Sequence, residues 1–322
     1  MTTTVLGVEH LCVRFAVAGF AQGLRAVDDV SFGVLRGETL GVVGESGSGK
    51  STLARAILRL VPASAGRVFM RGVDLLTLDK AGLRATREHL QIIFQDPLAS
   101  LDPRMSVAEI IAEPLREFRP QLTRAERRER VLAIVGRVGL LPEHLQRYPH
   151  EFSGGQAQRI GIARALMLQP EFLVCDEPIS ALDASIKSQI ANLLKDLQQE
   201  FQLSVLFIAH DLASVRFSCD RILVLYLGRV MEIASRASLF ASPRHPYTRA
   251  LLQAVPIADP VRARARTSTP LSGEIPSPLS PPSGCVFRTR CPLAVARCTA
   301  EVPSLRRIGD SEVACHRAEE SG

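Results

Sequence analysis

The sequence has no tryptophan, only three tyrosines, and no apolar run approaching the roughly 18 residues of a membrane-spanning helix. Scarce aromatics count against a nucleic-acid binder, which stacks bases on aromatic side chains set in basic strands, and no such strand occurs here. The missing apolar run excludes a helical membrane span. The opening Met1-Thr2-Thr3-Thr4 is not a signal peptide, so the chain is expected in the cytoplasm, with any membrane link made through a partner. Tight C-x2-C pairs are absent too. Seven cysteines in a cytosolic chain argue against a disulfide framework and leave metal binding or plain burial to explain them.

What is present is an ordinary globular composition: 46% hydrophobic, 22% charged, and a net charge of +6 over 322 residues. That length suggests about two domains, and the charge suits an anionic ligand or surface.

The stretch Gly44-Glu45-Ser46-Gly47-Ser48-Gly49-Lys50-Ser51, followed by Thr52, fits the pattern G-x-x-x-x-G-K-[ST]. The apolar run 39–43 predicts a buried strand feeding it, and 51–60 predicts a helix leaving it. Glycines let backbone N–H groups turn toward a polyphosphate, and the helix N-terminus adds partial positive charge at the same point. Lys50 can reach the β- and γ-phosphates, and the Ser51 hydroxyl can ligate Mg²⁺. A glycine-rich surface turn is the plain alternative, and the rest of the chain tells against it.

Alternating apolar and polar residues over 5–15 and again over 27–34 predict two paired strands. Phe15 ends the first, where an aromatic can stack on an adenine ring or simply join the core. Further strands are predicted over 66–70, 90–97, 171–177 and 204–209, and three of them run into polar groups: Gln95, the pair Asp176-Glu177, and His210. Each alone has an ordinary surface explanation. Together they stand at strand ends, where a doubly wound sheet gathers its site. A glutamine there can bind a metal-bound water. Adjacent strand residues point to opposite faces, so the two acids cannot share one job. Asp176 suits a Mg²⁺-water ligand and Glu177 a base that polarises an attacking water.

Residues from about 100 to 165 read as helical, with Thr123-Arg124-Ala125-Glu126 as a capping box. Phe152-Ser153-Gly154-Gly155-Gln156 is a second small-residue loop at a helix start, hence a second potential anion site. Two such cradles make sense if two chains face each other and each serves the other's nucleotide. Ser180-Ala181-Leu182-Asp183 precedes an amphipathic helix, and residues 224–230 predict a hairpin turning at Gly228.

Taken in order, these motifs resemble the ATP-binding cassette ATPases over about residues 5–255. The match comprises Walker A at 44–51, the Q-loop Gln95, the signature at 152–156, Walker B Asp176 with the base Glu177, the D-loop Asp183 and the switch His210. Phe152 departs from the family's usual leucine. The resemblance implies an α/β fold: a P-loop NTPase core with an antiparallel β subdomain and an α-helical subdomain, plus a small cysteine-containing extension. It implies two cassettes closing head to tail around two ATP molecules. Lys50 and the loop would hold the phosphates, while Ser51, Gln95 and Asp176 would organise Mg²⁺. Glu177 would position water and His210 contact the γ-phosphate, with Ser153, Gly154 and Gly155 completing the opposite site.

The tail divides from the cassette at 255. Its Pro- and Ser-rich stretch 256–282, with Arg262, Arg264 and Arg266, predicts an extended connector. Cys285, Cys291, Cys298 and Cys315 follow with the spacing C-x5-C-x6-C-x16-C. Four thiolates can hold Zn²⁺ or an iron–sulfur cluster, and four unligated cysteines are the plain alternative. Ser242-Pro243-Arg244-His245-Pro246-Tyr247-Thr248 and residues 284–292 resemble the C-terminal extension of the oligopeptide/dipeptide/nickel importer branch. That resemblance implies a [4Fe-4S] cluster on the four cysteines rather than zinc.

The expectation is an ATPase subunit bound peripherally at the cytoplasmic face of the inner membrane. It would dock on two transmembrane permease subunits and pair with a second, paralogous cassette ATPase. An extracytoplasmic substrate-binding protein would deliver di- or oligopeptides, with nickel, glutathione or sugar-like solutes as alternatives. A soluble cassette acting on ribosome or DNA is opposed by the single cassette and the lack of a heptad run. A redox-sensing regulatory subunit is the other rival class.

Overall fold

In the computed structural model, residues 3–255 and 273–320 are described. The connector expected from 256, including Arg262, Arg264 and Arg266, lies outside the described residues as far as 272. Contacts divide the chain into two compact units that do not follow its linear order. One unit holds Leu6–Gly33, Thr39–Leu76 and the chain from Ala209 on; the other holds Val34–Glu38 and Thr77–Ile208 together with the first few residues.

In the first unit, β1 (Thr4–Val17) and β2 (Phe20–Leu35) join β4 (Ala65–Met70) and β5 (Val73–Asp74) in a four-stranded sheet ordered β2-β1-β4-β5. Buried residues along β1 run Leu6, Val8, then Leu11 and Val13. That slip of one position would turn half the strand inside out if the pairing stayed regular. A bulge between Glu9 and Cys12 absorbs it, with His10 at φ 49°.

A second set of strands surrounds β3 (Thr39–Val43), which is buried along its whole length, as a continuous apolar run in a covered parallel strand should be. It pairs in parallel with β9 (Arg221–Tyr226), Leu40 opposite Arg221 and Val43 opposite Val224. β9 turns into β10 (Arg229–Ser235) through Leu227 and Gly228, both at positive φ, the geometry of a tight hairpin. The tail then pairs onto this set. β12 (Ser311–Val313) lies antiparallel to β10, and β11 (Arg306–Ile308) lies antiparallel to β12. Backbone hydrogen bonds thus hold the tail to β10, in the compact unit that also contains β3.

The second unit contains three parallel strands ordered β6 (Leu90–Ile93), β7 (Phe172–Asp176) and β8 (Ser204–Ala209). Between β6 and β7 run α3 (Val107–Phe118), α4 (Arg124–Arg137) and α5 (Gly154–Leu166). The Thr123 hydroxyl accepts the Glu126 N–H and the Glu126 carboxylate accepts the Thr123 N–H, so α4 opens on the capping box read from its spacing. α5 buries Ala157, Ile160, Ile162, Ala163 and Leu166 around most of its circumference, which marks an interior helix. No described helix is long and apolar enough to cross a membrane.

Candidate functional site

The glycine-rich loop 44–49 lies between β3 and α1 (Lys50–Ile57), a helix shorter at its C-terminus than expected. Its two outer glycines are required by contact. A Cβ on Gly44 would stand 2.1 Å from the Leu225 carbonyl oxygen, and one on Gly49 would stand 2.1 Å from that of Ala26. Gly49 also takes φ 101°, open only to glycine at little cost. It caps α1 without any side-chain bond, and the first turn carries no acid. The helix start therefore presents donors and dipole to an anion without competition. Lys50, buried at 5% exposure, donates to the carbonyls of Gly44 at 2.8 Å and Glu45 at 3.0 Å. Ser46 and Gly47 are exposed, whereas Ser48 is buried. Phe15 is 37% exposed, so the core alternative for it falls.

In the other unit, Asp176 is the last residue of β7 and fully buried. The pleat is not what separates it from Glu177. The strand has ended, and Glu177 turns away at φ 49°, a strained conformation of the kind that clusters at functional sites. Glu177 anchors its N–H on the Ile208 carbonyl at 3.2 Å, and Gln95 Nε2 donates to its carboxylate at 3.0 Å. The Gln95 side-chain oxygen is the part of that amide group able to face a cation. Gln95 lies two residues beyond β6 and is exposed.

At the start of α5, the Ser153 side chain accepts the Gln156 N–H at 3.4 Å, and Gln156 Oε1 accepts the Ser153 N–H at 3.1 Å. Ser153 is exposed, while Phe152 is buried with its ring edge-on to His144. The leucine-to-phenylalanine departure thus falls on an inward side chain. Gly155 has no room for more: a Cβ would stand 2.6 Å from Ile186 Cγ2 on α6 (Ala184–Phe201). Asp183 sits at the N-cap of α6, exposed and making no capping bond. His210 follows β8 directly, exposed, its Nε2 3.4 Å from Asp211. Asp211 in turn caps α7 (Leu212–Ser218) through the Ser214 N–H.

Residues 27–180 match the family model described as ABC transporter, and residues 231–298 the one described as oligopeptide/dipeptide transporter, C-terminal region. Over 292 residues the chain is 56% identical to the oligopeptide transport ATP-binding protein OppF of Escherichia coli (strain K12), covering 91% of this chain and 87% of the relative. The chain belongs to the ABC transporter ATPases. A second OppF, from Haemophilus influenzae, is 54% identical, covering 97% and 96%. Among solved ABC cassettes, MJ0796 in a dimeric post-hydrolysis state with ADP and Pi superposes with a TM-score of 0.66 at 29% identity, covering 72% of this chain and 98% of that one. The cbiO1 protein of Clostridium perfringens, part of the ABC transporter complex cbiONQ, gives the same TM-score and identity over 74% and 91%. ATP binding and hydrolysis are the chemistry of this family.

The Cys285 thiol is pushed up to about 11, first by burial and then by the neighbouring Cys298, Cys291 and Cys315. Burial also raises Cys291 and Cys315. Four soft donors within electrostatic reach have the right chemistry for zinc or iron–sulfur. Yet among the described residues no group of three or more His, Cys, Asp or Glu is arranged to hold a metal ion. This arrangement gives the expected [4Fe-4S] cluster no support. Neutral thiols gain by packing as small apolar groups and by weak backbone bonds such as Arg317 N–H to Cys315 Sγ at 3.4 Å, and neither requires convergence.

The sequence assigns no role to Tyr247 or Arg290. Both contact the glycine-rich loop at Glu45, Tyr247 through the loop's backbone N–H and Arg290 through the Glu45 carboxylate. The available signal was an arginine among tail cysteines with no local acid to pair it.

Proposed function

We propose that this chain is the ATP-hydrolysing subunit of an importer for di- or oligopeptides. The carrying observation is its identity of more than half, over most of the chain, to proteins named for oligopeptide transport. In this reading Lys50 and the loop 44–52 hold the triphosphate, and Phe15 stacks on the base. Ser51, Gln95 and Asp176 would hold Mg²⁺, a hard cation suited to their oxygens. Glu177 positions and deprotonates the attacking water, with His210 facing the γ-phosphate. Ser153, Gly154, Gly155 and Gln156, with Asp183 beside them, complete the nucleotide site of a second cassette.

That second cassette would be a paralogous subunit, and the pair would dock on two membrane permeases at the cytoplasmic face, fed by an extracytoplasmic binding protein. Nickel, glutathione or a sugar-like solute would draw on the same ATPase chemistry. An uptake assay on a deletion strain, offered labelled dipeptide, pentapeptide and Ni²⁺ separately, tests the reading. Loss of one peptide class, restored by wild type and not by Lys50→Ala, supports it; unchanged uptake of both peptides overturns the substrate.

The tail cysteines as [4Fe-4S] ligands stand as a separate proposal, supported by donor type and mutual electrostatics and opposed by their arrangement. Iron and sulfide content of anaerobically purified protein decides it: about four of each per chain supports a cluster, and none removes it.

A further inference from the structure

Glu45 is the second residue of the phosphate loop, and all three of its polar groups are engaged. Its N–H donates to the Tyr247 hydroxyl at 3.0 Å. Its carbonyl accepts from Lys50. Its carboxylate accepts two N–H bonds from Arg290, at 2.7 and 3.1 Å. Arg290 belongs to the tail, 245 residues further along the chain, and its side chain is 6% exposed. The same guanidinium reaches the Tyr226 hydroxyl at 3.4 Å and lies over the Tyr226 ring. Behind it, the fully buried Phe287 packs on Tyr226, Tyr247 and His245, with ring centroids 5.3, 5.3 and 5.7 Å away. All these residues lie in one compact unit.

The motif leaves the identity of this loop position open, and an acid is an awkward choice beside a triphosphate. Left free, the carboxylate would repel the ligand and let the loop sample other shapes. A two-pronged arginine contact removes both problems. It cancels the charge in a site largely closed to water, and it holds the loop in one geometry before ligand arrives.

We propose that Arg290 is a positioning residue for nucleotide: through Glu45, the C-terminal tail holds the phosphate loop in its binding shape and neutralises the loop's own acid. This rests on the reading of residues 44–51 as the ATP site. The contact acts on binding and not on bond cleavage, so its loss moves KM and leaves kcat nearly alone.

The test uses the full chain, with a fluorescent ATP analogue for affinity and phosphate release for turnover. Arg290→Met is expected to weaken ATP binding and raise KM by about five- to tenfold, with kcat within about twofold, since one unneutralised charge near a polyphosphate is an effect of that order. Raising the salt should narrow the gap to wild type. Adding Glu45→Gln to Arg290→Met should recover most of the affinity, because the stray charge is then gone. A purely structural role for Arg290 would not give that rescue. Should Arg290→Met fail to fold, Arg290→Lys keeps the charge and loses the fork, with KM expected about two- to threefold up.

An unchanged KM, or a Glu45→Gln effect that adds to the defect, overturns the proposal while Lys50→Ala still abolishes binding. Retained ATP binding by Lys50→Ala overturns the underlying site reading as well.

Discussion

Glu177 carries the strongest claim on chemistry. It leaves its strand in a left-handed conformation and is held by both Gln95 and the Ile208 carbonyl. Replacing its carboxylate with an amide keeps the shape and removes the basic group on which the proposed role depends. Glu177→Gln is expected to cut phosphate release by about 10²-fold or more while ATP stays bound, measured as turnover against retained nucleotide; undiminished steady-state hydrolysis would sink the assignment. His245 makes a different prediction. It is buried, its pKa is drawn from 6.5 down to about 3 by loss of solvation, and its Nδ1 accepts the Tyr247 N–H. Glu232 accepts its backbone N–H, and Phe287 and Tyr247 pack around it. The unfolded chain takes up this proton near 6.5 and the folded chain only near 3, so stability is complete above that upper value and is lost as pH falls through the window. Wild-type melting temperature should decline between pH 7 and 5, and His245→Gln should flatten that decline.

The helix α5 shows how a small-residue loop at a helix start depends on the element behind it. Ser153 and Gln156 cap the helix reciprocally, and Gly155 lets α6 approach so closely that Ile186 occupies the space of a Cβ. Gly155→Ala is expected to cost about 1–3 kcal/mol by overpacking, read by denaturant unfolding. Trimming the obstacle with Ile186→Ala in the same chain should return part of that loss; no recovery would place the strain elsewhere. The capping pattern at 153–156 is local and was readable from four residues. The obstacle is not, because Ile186 lies 31 positions away in sequence and has its own unremarked place in an amphipathic repeat.

For the whole molecule, the unexpected feature is the tail's membership in the unit that holds the glycine-rich loop. β12 pairs with β10, and Phe287 fills a pocket of aromatic rings that ends at Glu45. Phe287→Ala should therefore lower the stability of that unit by about 3–5 kcal/mol. In a thermal melt this would appear as a shift of the transition that Mg-ATP protects. A tail folding on its own would leave that transition in place.

The strand–loop–helix at 39–57, the capping boxes and the polar ends of β6, β7 and β8 were all legible beforehand, since each is governed by residues within a few positions of one another. Periodicity, capping and glycine chemistry act over that range. The bulge at His10, the turn at Glu177 and the contacts of Arg290 and Phe287 were not. Each of those residues has an innocuous local reading, and its role comes from a partner brought close by strand pairing or burial. Local chemistry wrote the cassette motifs into the chain; only the folded packing decided that Arg290 of the tail would meet Glu45 of the glycine-rich loop.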